Sequence, residues 1–337
     1  MGILGSTKSM GLELKDDKMR AVELHKKRNT INIVNVRERD LAAGIIENGK
    51  IQDCNKLVKE LENFWSNSGF SSKDVNLGIS NQDIIVRFAS FPKISEKKLD
   101  NAVKFQAQNM LPININQLVL DYTVIGETHN EDENPIWEVL MVGGKIDMIY
   151  DYIYCLEKAE LFINDIEILP LSMGRLLEKE QQERVVIIID STGGVINLSV
   201  FEHGNPKLAR MITPSDTTTE MSSPYDEIAA SIDINPGGRN DELLGEAQIN
   251  QVVTNTRTLI DYYQTQNTAK YVDAILICGG AKNYQMLMDR LENFLGLPVY
   301  FSNPQTALGV EATDLSLEEI KYYSQVISLA YKGMEEN

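Results

Sequence analysis

Cysteine, histidine and long apolar runs are what this sequence has least of. Its three cysteines, Cys54, Cys155 and Cys278, are odd in number and widely spaced. That spacing predicts a reducing compartment, without a disulfide framework or a zinc site. The three histidines, His25, His129 and His203, stand apart from any nucleophile pattern, so a Ser-His or Cys-His hydrolase finds no support. The longest apolar stretches, such as Val185–Ile189, fall far short of the roughly 20 residues a membrane helix needs, and no basic-then-apolar leader is legible, so no membrane insertion is expected. Positive charge is also scarce. A net charge of -17 argues against a nucleic-acid partner and against adhesion to anionic lipid.

What is present describes a water-exposed globular chain: 43% apolar residues, a mean hydropathy of -0.22, and 337 residues, enough for about two domains with separate cores. The chain is organised around Val185–Phe201, in which an apolar run ends on Asp190 and a small-residue turn, Ser191 to Gly194, leads into a second alternating run. Two strands joined so tightly predict a hairpin. Two roles are open to an acid at that position. It bonds back to its own turn, or, beside free backbone N–H groups, it holds a Mg²⁺–phosphate group.

The order of elements repeats. Gly11–Leu14, Met19–Leu24 and Thr30–Val36 alternate as strands, Asn55–Trp65 has helical spacing, and Val75–Ser80 returns as a strand. In the second half Val185–Asp190, Val195–Phe201 and Lys207–Ile212 are followed by a helix at Gln248–Tyr263 and a buried strand at Ala274–Gly280. Strand–strand–strand–helix–strand occurs twice, which predicts a duplicated α/β fold. Between the halves, Ser95–Met110 reads as a helix, Leu118–Gly126 as a strand, Glu127–Pro135 as an exposed loop, and Trp137–Gly144 as a return to the main sheet. A helix at Lys145–Glu160 and a strand at Ile163–Ile168 follow, and Thr213–Gly245 is a polar, loop-like stretch. Helices are expected at Tyr284–Leu295 and from Ser316, where Glu319 completes a capping-box pattern and Leu317, Ile320, Tyr323, Ile327 and Tyr331 share a face.

Several stretches, in this order, resemble the actin-like type IV pilus assembly PilM family: GLELKDDKMRAVEL, IENGKIQD, VNLGISNQDIIVRFASFPKISEKKLDNAVKFQAQNMLPININQLVLDY, EVLMVGGKIDMIYDYIYCLEKAEL, VVIIIDSTGGVINLSVFEHG, AILICGGAKN, LGLPVYFSNP and YSQVISLAYKG. The resemblance implies an actin/Hsp70-like α/β fold of duplicated ribonuclease-H-type lobes. The first lobe would span residues 10–183 with a small subdomain inserted at about 88–136. The second would span 184–315 with a reduced outer subdomain at about 213–245, and a C-terminal helix in 316–337 would pack back on the first lobe. It implies a cytoplasmic protein at the inner face of the cell membrane that binds the N-terminal tail of a PilN-like membrane protein and connects it to the pilus motor ATPases. On this sequence the groove for that tail would draw on Ile79, Val86, Phe88, Phe105, Met110, Leu111 and Pro112.

The resemblance also maps a nucleotide cleft onto Glu13, Lys15, Asp190, Ser191, Thr192, Gly193, Gly279, Gly280 and Ala281, with Asp190 reaching Mg²⁺ through water if Mg-ATP binds. Here the sequence departs from the family. Where the family has Asp-x-Gly and small hydroxyl residues, this chain has Glu13, Lys15, Asp16, Asp17 and Lys18, with Arg20 at the family's lysine. Glycine matters at such a turn because backbone N–H groups must come close to phosphate. Thr192 also replaces a usual glycine, and Thr213–Gly245 is shortened. These departures predict a degenerate or weak nucleotide site, no required cofactor, no catalytic residues and a non-catalytic scaffold. The competing readings are an ATP-binding phosphotransferase or ATPase of the same superfold, which needs a catalytic carboxylate and a sound phosphate cradle, and a membrane-tethered filament former, for which the Gly333–Asn337 tail is too short and acidic.

Overall fold

The computed structural model describes residues 7–81, 83–110, 113–130, 132–190, 195–212, 245–266, 270–279 and 284–335. The strands are β1 (Thr7–Leu14), β2 (Lys18–Lys27), β3 (Thr30–Asp40), β4 (Ile46–Glu47), β5 (Lys50–Ile51), β6 (Asp74–Ile79), β7 (Ile84–Pro92), β8 (Leu118–His129), β9 (Pro135–Lys145), β10 (Phe162–Ile168), β11 (Val185–Asp190), β12 (Ile196–Glu202), β13 (Asn205–Ile212), β14 (Ala274–Cys278), β15 (Val299–Phe301) and β16 (Val310–Glu311). The helices are α1 (Cys54–Ser68), α2 (Glu96–Met110), α3 (Ile146–Lys158), α4 (Leu169–Ser172), α5 (Lys179–Gln182), α6 (Glu246–Gln266), α7 (Tyr284–Leu295), α8 (Pro304–Leu308), α9 (Leu317–Tyr322) and α10 (Ser324–Glu335).

The repeat in element order is a repeat in topology. One sheet has the order β10-β6-β1-β2-β3-β16 and the other β13-β12-β11-β14-β15. In each, three antiparallel strands are followed by two strands that join in parallel, β6 and β10 beside β1, β14 and β15 beside β11. Parallel neighbours need a crossover, and α1 and α6 supply it. Asp53 caps α1 by accepting from the Lys56 N–H at 3.0 Å, and Gly69, at φ 70°, ends it in the left-handed conformation.

The two sheets face each other across a shared helical layer, which explains why β11 is apolar at consecutive positions. Val185, Ile187 and Ile189 pack toward α6 and α7, while Val186 and Ile188 point into the middle layer with α10. A strand covered on both faces has no reason to alternate. On the far side of the first sheet, Met10, Leu12 and Leu14 pack with Leu57, Leu61 and Phe64 of α1 and Tyr152 and Leu156 of α3. Helix α10 lies close against β1 and β6. A Cβ on Gly11 would sit 2.4 Å from the Val326 carbonyl oxygen, and one on Gly78 would meet the Leu329 side chain at the same distance.

Four expectations from the sequence need correction. Trp137–Gly144 does not return to the main sheet: β9 pairs antiparallel with β7 and β8 in a separate sheet of order β7-β9-β8. That unit, closed over α2 by Phe91, Leu99, Val103, Leu118 and Met141, begins at Ile84 and ends at Lys145. The predicted loop Glu127–Pro135 shrinks to the turn between β8 and β9, where the Asn130 N–H donates to the Asn134 carbonyl at 3.0 Å. Cys54 and Cys155 are joined as a disulfide, with Cα atoms 5.7 Å apart; it ties α1 to α3 across 101 residues, a proximity that linear spacing could not reveal. The helix from Ser316 breaks at Tyr323 into α9 and α10, although its capping box forms as predicted. Ser191 to Gly194, Thr213 to Asp241 and onward to residue 244, Gly280, Ala281, Leu111 and Pro112 lie outside the described residues.

Candidate functional site

Strands β1 and β11 hold equivalent places in the two sheets, so their C-terminal ends arrive at one cleft. Glu13 is the penultimate residue of β1 and Asp190 the last of β11, and both are buried. Lys15 bridges them. Its Nζ lies 3.1 Å from Asp190 Oδ2, 3.3 Å from Glu13 Oε1 and 3.1 Å from Gln325 Oε1 of α10. Asp190 Oδ2 also accepts from Asn197 Nδ2 at 3.0 Å, and Ser80 Oγ donates to Asn197 Oδ1. One ammonium therefore connects both sheets and the helical layer.

A second cluster backs the first. Arg20 reaches Glu13 Oε2 at 3.3 Å and Glu38 Oε2 at 2.6 Å, and it donates to Tyr322 Oη at 2.7 Å. Lys18 lies 3.5 Å from Glu38 Oε1. Burial alone would lower the Arg20 and Lys18 pKa values. Glu13, Tyr322 and Glu38 outweigh burial for Arg20, and Glu38, Tyr322 and Asp17 outweigh it for Lys18, so both groups stay firmly protonated.

Asp16 and Asp17 occupy the β1–β2 turn. Asp16 accepts from the backbone N–H of Asn48 at 2.6 Å and of Gly49 at 3.0 Å. Asn48 and Gly49, at φ 51° and 68°, form the β4–β5 turn, and both angles are positive, as a type I′ turn requires. Burial raises the Asp16 carboxyl despite those two bonds, and burial raises Asp17 as well. The same turn roots the inserted sheet. Asn81 donates to the Asn48 carbonyl at 3.0 Å, Tyr152 Oη to the Gly49 carbonyl at 2.9 Å, and Lys50 and Lys145 both pair with Asp83.

Fit to a nucleotide can be judged on these contacts. A polyphosphate needs unpaired cations and backbone N–H groups facing it. Among the described residues, the Lys15 ammonium is held by two carboxylates and an amide, and the Asn48 and Gly49 N–H pair is taken by Asp16. The cavity between Lys15, Asp16, Gly49 and Asn197 is about 10 Å³, room for about one water. Gly279, at φ 75°, ends the strand toward the adenosine-side turn, and its N–H donates to Ser324 Oγ at 3.0 Å. These residues fit Mg-ATP poorly, and no described group of three or more His, Cys, Asp or Glu side chains could hold a metal ion.

Of the residues assigned to a partner groove, Leu111 and Pro112 lie outside the described residues. Ile79 and Val86 are buried in the first core, Phe88 is packed against it, and Met110 packs against the small core of the inserted unit. Phe105 is 67% exposed on the outer face of α2. Sequence reasoning placed Glu13, Lys15 and Asp190 in one site, and the structure brings them into contact. It missed Gln325, Asn197 and Ser80. Its place directly before the largely apolar run Val326–Ala330 is the signal that could have pointed to Gln325.

Two duplicated lobes meeting at a cleft between the ends of β1 and β11 define the actin-like ATPase fold. The chain belongs to the family described as type IV pilus assembly protein PilM, whose sequence model matches residues 11–330. It is similar to a chain of a PilM–PilN type IV pilus biogenesis complex, with a TM-score of 0.77 and 20% identity over 96% of this chain and 98% of that one. More distant likenesses are a Bacteroides thetaiotaomicron protein with an actin-like ATPase fold and unknown function (TM-score 0.47, 14% identity, 90% and 96% covered) and the cytoplasmic domain of EpsL, an inner membrane component of the type II secretion system of Vibrio cholerae (TM-score 0.49, 9% identity, 98% and 96% covered). No curated protein matches the sequence. No described helix is long and apolar enough to cross a membrane.

Proposed function

We propose that this member of a type IV pilus assembly family is a non-catalytic scaffold. It binds the N-terminal tail of a PilN-like inner-membrane protein and links it to the pilus motor ATPases at the cytoplasmic face of the membrane. The observation that carries this reading is the family match across residues 11–330, joined to the likeness to a chain solved in complex with PilN. Phe105, 67% exposed on the outer face of α2, supplies apolar contact area for such a tail. The scaffold role is supported by the cleft, where the carboxylate that an ATPase would direct at its metal is engaged by Lys15 and Asn197.

The test is thermal. A synthetic peptide from the N-terminus of the PilN-like protein of the same organism should raise the melting temperature with increasing dose, as a ligand that binds only the folded state must. No shift at a large excess of peptide would sink the reading. Phe105→Ala should weaken that shift without lowering the melting temperature of the free protein.

A further inference from the structure

We propose that the cleft carries a cation site filled from within: Lys15 supplies the positive charge at the place where an actin-like fold would receive a metal–nucleotide, and so holds the two sheets together without a ligand. The inference rests on the cleft alone, and a failure of the peptide experiment leaves it untouched.

The Lys15 ammonium donates to Asp190 Oδ2 and Gln325 Oε1, each at 3.1 Å, and forms an ion pair with Glu13 Oε1 at 3.3 Å. They come from β1, β11 and α10, so the contact spans both sheets and the layer between them. Lys15 is 7% exposed and Asp190 is fully buried. With Arg20 on the other oxygen of Glu13, two acids face two bases, a balance that a buried cluster requires. The anion side of the cleft is closed in the same way, since Asp16 takes the Asn48 and Gly49 N–H groups. An incoming polyphosphate would have to displace Lys15 from Asp190 and set its own charge beside Asp16 and Glu13. Like charges brought this close repel, and more strongly where water is excluded. Without the ammonium, two carboxylates and an amide oxygen remain around one point, which is the donor set of a hard divalent cation.

Lys15→Ala tests this by thermal melting of the full chain, alone and with millimolar Mn²⁺. The variant should melt at least about 5 °C below the parent, as expected for a buried charge pair broken on one side, and Mn²⁺ should restore most of the loss. The parent should respond neither to Mn²⁺ nor to Mg-ATP. If Lys15→Ala does not fold, Lys15→Gln replaces it, and the double variant Lys15→Gln/Asp190→Asn should be more stable than either single change. The proposal is overturned by a variant that melts with the parent, by a loss that Mn²⁺ leaves in place, by a double variant less stable than both singles, or by a parent that Mg-ATP stabilises.

Discussion

Gly11 has no space for a side chain. Its missing Cβ would lie 2.4 Å from the Val326 carbonyl oxygen and 2.6 Å from the Ala330 nitrogen, both backbone atoms of α10 that cannot swing aside. Gly11→Ala should therefore cost about 1 to 3 kcal/mol as an overpacked contact, visible as a lower urea midpoint with an unchanged slope. An unchanged midpoint would mean that α10 shifts freely. Glu38 gives a second test. Burial would raise its carboxyl, but Arg20, Tyr322 and Lys18 outweigh burial and hold it below the ordinary value of 4.5. A carboxyl lowered on folding adds stability above its unfolded pKa and loses it as pH falls through the folded value. Glu38→Gln should be less stable than the parent at pH 7, and the gap should close below about pH 4.5; a gap constant down to pH 3 would contradict this assignment. At this scale Asp190 was legible as an acid ending an apolar run, whereas Glu13 and Lys15 were marked only by the family resemblance. Gln325 stayed hidden, since its partner Lys15 lies 310 residues away, and so did the contact of Asn197 with Ser80 across 117 residues.

Elements were easier to read where a local rule governs them. Ser316 and Glu319 form a reciprocal cap, with the Ser316 N–H donating to Glu319 Oε2 at 2.8 Å. Ser316→Ala should cost about 1 kcal/mol, measured as a small drop in melting temperature. The strands of the two repeats and the helices α1, α6 and α7 were legible for the same reason, periodicity. The placement of β9 was not, because an alternating strand carries no mark of which sheet will pair with it, and its hairpin with β8 decides the matter. The Cys54–Cys155 bond belongs at this scale too. Closing a loop of 101 residues between α1 and α3 is worth about 4 to 5 kcal/mol in the chain-entropy account. Adding dithiothreitol should lower the melting temperature by several degrees, and Cys54→Ser should reproduce the loss. If the reduced protein melts with the oxidised one, the bridge adds nothing to the fold.

Across the whole molecule, α10 is the element both sheets depend on. Val326, Ile327 and Ala330 share one core with Val22 and Leu24 of the first sheet and Ile188 and Leu276 of the second. Lys15 adds a hydrogen bond to Gln325 Oε1 at the same place. Two lobes that share a core should unfold as one cooperative unit, whereas lobes that only touch should come apart separately. The sequence provides a probe, because its two tryptophans, Trp65 in α1 and Trp137 in β9, both report on the N-terminal half. Tryptophan fluorescence and far-UV circular dichroism should therefore give the same urea midpoint for the parent. Ile327→Ala removes a fully buried side chain from the shared core, costing about 2 to 5 kcal/mol, and should pull the two midpoints apart as the second lobe loses its hold. Midpoints already separate in the parent would show that each lobe is stable alone, and that neither α10 nor the Lys15 contact couples them.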